Sequence, residues 1–74
     1  MTIRIGQLYR STVQPQLVLK IDSVPSTNNT IQIYGARIME ADNNLHVGKI
    51  SYVTKNGILD FFRRIEAYSP DWEV

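Results

Sequence analysis

The stretch Thr30 to Met39, Thr-Ile-Gln-Ile-Tyr-Gly-Ala-Arg-Ile-Met, constrains this chain more than any other. Ile31 and Ile33 fall on one side of an extended backbone, and Gln32 and Tyr34 on the other. That period of two marks a half-buried strand. At Gly35 the pattern slips, and the apolar residues continue at Ala36 and Ile38 on the opposite parity. An extra residue entering a strand at a bulge produces such a slip. A bulged strand bends, and a bent central strand lets a small sheet curl over itself. The expectation is an all-β chain with this strand in its middle.

A chain of 74 residues has room for one domain. Its 43% hydrophobic and 20% charged residues are ordinary for a globular protein and too apolar for wholesale disorder. So short a chain buries a limited fraction of its surface, and a staple or a partner often supplements such a core. Without cysteine, the staple is neither a disulfide nor a thiolate metal site. The absence fits a reducing compartment. No apolar run approaches the roughly 18 residues of a membrane span, and the N-terminus has no signal-peptide core. The expectation is a soluble, cytoplasmic, self-contained protein that does not engage a membrane.

The remaining segments fill in around the central strand. A turn at Gly6 leads into a first strand, Gln7 to Ser11, and a loop carries the chain to Pro15 at the mouth of the next. Gln16 to Val24 holds the clearest alternation, with Leu17, Leu19 and Ile21 on one face and Val18, Lys20 and Asp22 on the other. Pro25-Ser-Thr-Asn-Asn29 gathers loop-forming residues and suggests a hairpin tip. Ala41 to Asn44 reads as a second tight connection, and Leu45 to Lys55 as a fourth strand with a bend at Gly48. Asn56-Gly57 is the strongest local turn signal. A single helical turn over Leu59 to Phe61 then leads to a short closing strand, Phe62 to Ala67. The expected core is Leu17, Leu19, Ile21, Ile31, Ile33, Ile38, Ile50 and one of Phe61 or Phe62. Residues 1–67 form the domain, and 68–74 an extended acidic and aromatic tail.

Four to five short antiparallel strands, polar hairpins and a late helical turn at Asn56-Gly-Ile-Leu-Asp-Phe-Phe-Arg-Arg-Ile65 resemble the SH3-like small barrels, Tudor and KOW types among them. The likeness covers roughly residues 4 to 67 and is one of topology. It implies a small SH3-like barrel with a short helical turn before the last strand. Free-standing chains of this size and style look like accessory proteins of bacteriophages and other mobile elements, which bind host factors. In such a setting the host cytoplasm is the expected location.

Catalysis finds little support in the residue inventory. A thiol nucleophile is impossible, and a triad has one candidate base, His46. His46 lies near Glu40 and Asp42 in sequence, but a metal site needs three or four converging ligands. The glycines are scattered singly and make no phosphate loop. No cofactor is expected.

Binding is the better expectation, and two partners compete. All eight Lys and Arg lie in residues 1–65 with four acids, whereas Glu66, Asp71 and Glu73 make the end acidic. In the tail, Tyr68 and Trp72 stand beside Asp71 and Glu73, aromatic types common at interface hot spots. These four residues suit a groove with a basic rim, on another protein or on a second copy of the chain; Trp72 as a plug for the core is the alternative. The runner-up partner is nucleic acid. Arg37, Lys49, Lys55, Arg63 and Arg64 would form the basic face, with Tyr34 and Tyr52 for base stacking. A structural subunit that works by oligomerising is a third reading.

Overall fold

A computed structural model describes residues 3–25 and 32–66 of the chain. Five strands form one antiparallel sheet: β1 (Leu8–Ser11), β2 (Val18–Ser23), β3 (Ile33–Glu40), β4 (Ile50–Thr54) and β5 (Phe62–Ile65). Their order is β4-β3-β2-β1-β5, so the last strand returns to pair with the first. One short helix, α1 (Lys55–Phe61), stands before β5. The expected all-β class and late helical turn are present; β3 is an interior strand, but the middle of the sheet is β2. Among the described residues no helix is long and apolar enough to cross a membrane.

The connections follow from local chemistry. Gly6 takes a positive φ of 92°, which a glycine adopts without steric cost, and its amide reaches the Ile21 carbonyl at 2.8 Å. Between β1 and β2, the Ser11 hydroxyl accepts from the amides of Val13 and Gln14, which folds the loop tightly over its own strand. The link from β3 to β4 is longer than the tight turn expected at Ala41 to Asn44. A 3₁₀ turn, Asn44–His46, is capped by the Asn43 side chain, and Gly48 at φ 88° delivers the chain into β4. Leu45 to Lys49 is therefore not strand.

A bulge does lie level with Gly35, but its extra residue is in the neighbouring strand. Pairing between β3 and β4 is continuous from Ile33↔Thr54 to Arg37↔Ile50, with no extra residue at Gly35. The irregularities are on the β2 side. The register shifts between Ile21 and Ser23, which makes Asp22 an extra residue in β2. It shifts again between Val18 and Leu19, where Met39 is the extra residue in β3. Each bulge sharpens the local twist.

This moves the parity of the core by one. Tyr34 and Ala36 are buried on the inner face, while Ile33 is 47% and Ile50 41% exposed. Both isoleucines were expected inside. The core cluster is Ile3, Tyr9, Leu19, Ile21, Tyr34, Ala36 and Ile58, with Leu17, Ile38, Val53 and Phe62 packed against it. Of the phenylalanine pair, Phe62 packs inward and Phe61 is exposed. Ile31 lies outside the described residues.

Helix α1 starts earlier than the turn signal suggested, because Thr54 caps it: its Oγ1 accepts from the Gly57 amide at 3.1 Å. Asn56-Gly57 is thus the first turn of a helix. This helix also dictates the curvature of the sheet. Edge strands β4 and β5 of a flat five-stranded sheet would lie about 19 Å apart, at roughly 4.8 Å per strand. Seven helical residues span only about 10 Å. The sheet has to curl until its two edges come within reach of α1.

Candidate binding surfaces

The outer face of β3 and β4 carries the first surface. Ile33, Gly35 and Arg37 stand opposite Thr54, Tyr52 and Ile50. Tyr52 is 75% exposed, and its ring lies over Gly35: a Cβ there would sit 3.7 Å from Tyr52 Cε1. Ile33, Ile50 and Tyr52 together present a band of apolar surface. Beside it Arg37 is tied down, its Nη2 3.1 Å from Asp22 Oδ2 and its Nη1 donating to the Gly48 carbonyl.

The same strand has an open side. Ile38 N donates to Lys49 O, and Lys55 N to Gln32 O, at the two ends of the continuous β3–β4 register. Antiparallel ladders alternate, so Lys49, Ser51, Val53 and Lys55 address β3 with their backbone groups. Ile50, Tyr52 and Thr54 then direct theirs away from β3, and β4 has no second strand neighbour among the described residues. This edge contains no charge, no proline and no bulge of its own, the devices that commonly protect an edge strand. In contrast, the other edge, β5, is four residues long and carries Arg63 and Arg64.

The second surface lies across β1 and β5. Arg10 pairs directly with Arg63 on the outer face, and Tyr9 with Arg64 on the inner. A cleft of about 270 Å³ opens beside the outer pair, lined by Arg10, Ser11, Thr12, Pro15 and Arg63. Arg64 remains exposed at the rim above Tyr9. Burial pushes the Tyr9 phenol above its usual pKa, partly opposed by the Arg64 charge. The phenol donates to Gln7 Oε1 at 2.9 Å, which satisfies the buried hydroxyl.

The basic face expected from sequence is only partly assembled. Lys49 precedes β4 and Lys55 opens α1, one at each end of the strand; both are exposed. Tyr34 is 6% exposed and belongs to the core, which removes it as a stacking platform. Tyr52 remains available. Arg10, the partner of Arg63, escaped the sequence reading. Its signal was the parity of the first strand, where Tyr9 and Ser11 turn inward and Arg10 outward.

His46 closes the 3₁₀ turn and is exposed, and Asp42 accepts a 2.7 Å hydrogen bond from Gln14 Nε2. Among the described residues no three of His, Asp and Glu gather as a metal site. Tyr68, Asp71, Trp72 and Glu73, the expected partner-binding residues, lie outside the described residues. These surfaces belong to a small all-β chain with one curled antiparallel sheet. In comparison with known proteins, the chain matches no family model, no curated protein and no solved structure.

Proposed function

We propose that this protein is a non-catalytic binding module, built as an SH3-like small barrel, that takes up an extended segment of a partner protein along β4. The strand order, with the last strand against the first and a helix before it, supports the SH3-like likeness. The wider setting, a phage or mobile-element accessory protein acting on a host factor, belongs to the same proposal and rests on chain length and style.

The observation that carries the reading is the β4 edge, which has no second strand neighbour among the described residues. An added strand would hydrogen-bond to the outward groups of Ile50, Tyr52 and Thr54, and exposed Tyr52 and Ile50 would meet its side chains. Main-chain pairing supplies affinity with little sequence demand, and an exposed aromatic supplies an anchor. Nucleic acid is the weaker reading because Tyr34, one of its two stacking rings, is buried in the core.

The test separates ring from edge. Tyr52→Ala removes the anchor but keeps the edge amide, whereas Tyr52→Pro removes both and leaves the bonds to β3 intact. Partner capture from a nuclease-treated bacterial lysate should weaken with Tyr52→Ala and vanish with Tyr52→Pro, each variant remaining folded by circular dichroism. Equal capture by wild type and a folded Tyr52→Pro would remove strand addition from the mechanism. Partners lost wholly to nuclease would favour nucleic acid.

A further inference from the structure

The Arg10–Arg63 cleft is the feature that strand addition leaves unused. Thr12 N donates to Phe61 O at 2.8 Å, one step beyond the Ser11↔Phe62 pair. By alternation, Arg10 and Arg63 form a hydrogen-bonded pair with Cα atoms about 5.5 Å apart. Like charges placed directly opposite on a sheet repel. Neither is neutralised inside the cleft, because none of its lining residues is acidic. Glu40 is the nearest carboxylate in register, on the same row beyond Val18, and it does not line the cleft.

Both guanidinium groups keep N–H donors that no described residue takes up. The Arg63 guanidinium makes no hydrogen bond or ion pair to any of the described residues. Arg10 donates through Nη1 to the Pro15 carbonyl, which steadies its stem and leaves four of its five N–H groups without a partner among the described residues. The wall opposite is fixed by Thr12 Oγ1 donating to Phe61 O and by Ser11 Oγ receiving two loop amides. We propose that this cleft binds a phosphate monoester, gripped between the guanidinium groups of Arg10 and Arg63.

The geometry favours phosphate over carboxylate. One guanidinium fork saturates the two oxygens of a carboxylate, leaving the second arginine without a matching acceptor. A tetrahedral phosphate offers oxygens to both forks at once. Charge favours a monoester over a diester. Two guanidinium charges match a group carrying roughly −1.5 to −2 near neutral pH, whereas each phosphodiester of a nucleic acid carries a single charge. A cleft of about 270 Å³ admits such a head group and the atoms that carry it. The monoester's source is either free phosphate or a phosphorylated side chain.

Binding is to be measured by NMR titration and by melting temperature, at constant ionic strength set with chloride. The probes are inorganic phosphate, a short phosphoserine peptide with its unphosphorylated twin, and a single-stranded oligonucleotide. Wild type is expected to bind a monoester, with shifts centred on Arg10, Thr12 and Arg63. Arg63→Gln should weaken that binding by roughly tenfold or more, the scale of a lost charged hydrogen bond. It should leave the ligand-free protein folded, since the Arg63 guanidinium has no partner to lose among the described residues. Arg10→Gln provides the second variant. Affinity should rise from about pH 5 to about pH 7.5, as the monoester loses its second proton near pH 6.

Tighter binding of the phosphopeptide than of inorganic phosphate would make a phosphorylated side chain the source, and the reverse would make it free phosphate. Equal binding by wild type and both variants overturns the proposal. So does tighter binding of the unphosphorylated peptide or of the oligonucleotide. None of the residues lining the cleft belongs to β4, so either proposal can fail while the other stands.

Discussion

Ile58 and Ile33 are the same residue type with opposite positions. Ile58 is 1% exposed at the centre of α1, whereas Ile33 is 47% exposed on the outer face of β3. A side chain deleted from a packed site leaves a cavity that its neighbours only partly fill. Ile58→Ala should therefore cost about 2–5 kcal/mol, enough to threaten a domain of this size. Ile33→Ala should cost about 1 kcal/mol or less, in the range of a surface change. Urea unfolding of the two variants tests the assignment directly. Equal losses would mean that the strand parity is reversed.

At the level of elements, Thr54 decides where β4 ends. Its side chain caps α1, so Thr54→Ala should lower stability by about 1 kcal/mol, read from the same urea curves. If β4 ran on to Lys55 and turned sharply at Asn56-Gly57, the substitution would be neutral. The sequence favoured that sharper turn because Asn-Gly is a strong hairpin signal, and the cap three residues before Gly57 outweighs it. The strands themselves were legible, because Leu19 and Ile21 alternate with Lys20 and Asp22 and one face is buried. Which strand carries the extra residue, and the second bulge, were not. Bulges at Asp22 and Met39 arise from pairing between β2 and β3, and a single strand's pattern does not report its neighbour's extra residue. The apparent slip at Gly35 has a different origin, an isoleucine placed on the outer face. The arginine pair was half legible: Arg63 was singled out, but only the pairing of β1 with β5 brings Arg10 opposite it.

On the scale of the molecule, two kinds of pairing hold the sheet. β2, β3 and β4 follow one another as hairpins, whereas β1 and β5 join strands from opposite ends of the described chain. That difference has a kinetic consequence. Closing a long loop lowers chain entropy before any contact rewards it, so non-local pairing tends to come late on the folding path. Ile21→Ala, in the hairpin region, should slow refolding. Phe62→Ala, in β5, should chiefly accelerate unfolding and leave the refolding rate nearly unchanged. Stopped-flow measurements over a range of denaturant check this, and a large slowing of refolding by Phe62→Ala would reverse the order. The last strand to dock would then also be the first to detach. Because β5 carries Arg63, a local opening there would dismantle the Arg10–Arg63 cleft while leaving the β3–β4 hairpin intact, so a molecule held in the cleft would latch the seam between the first and last strands.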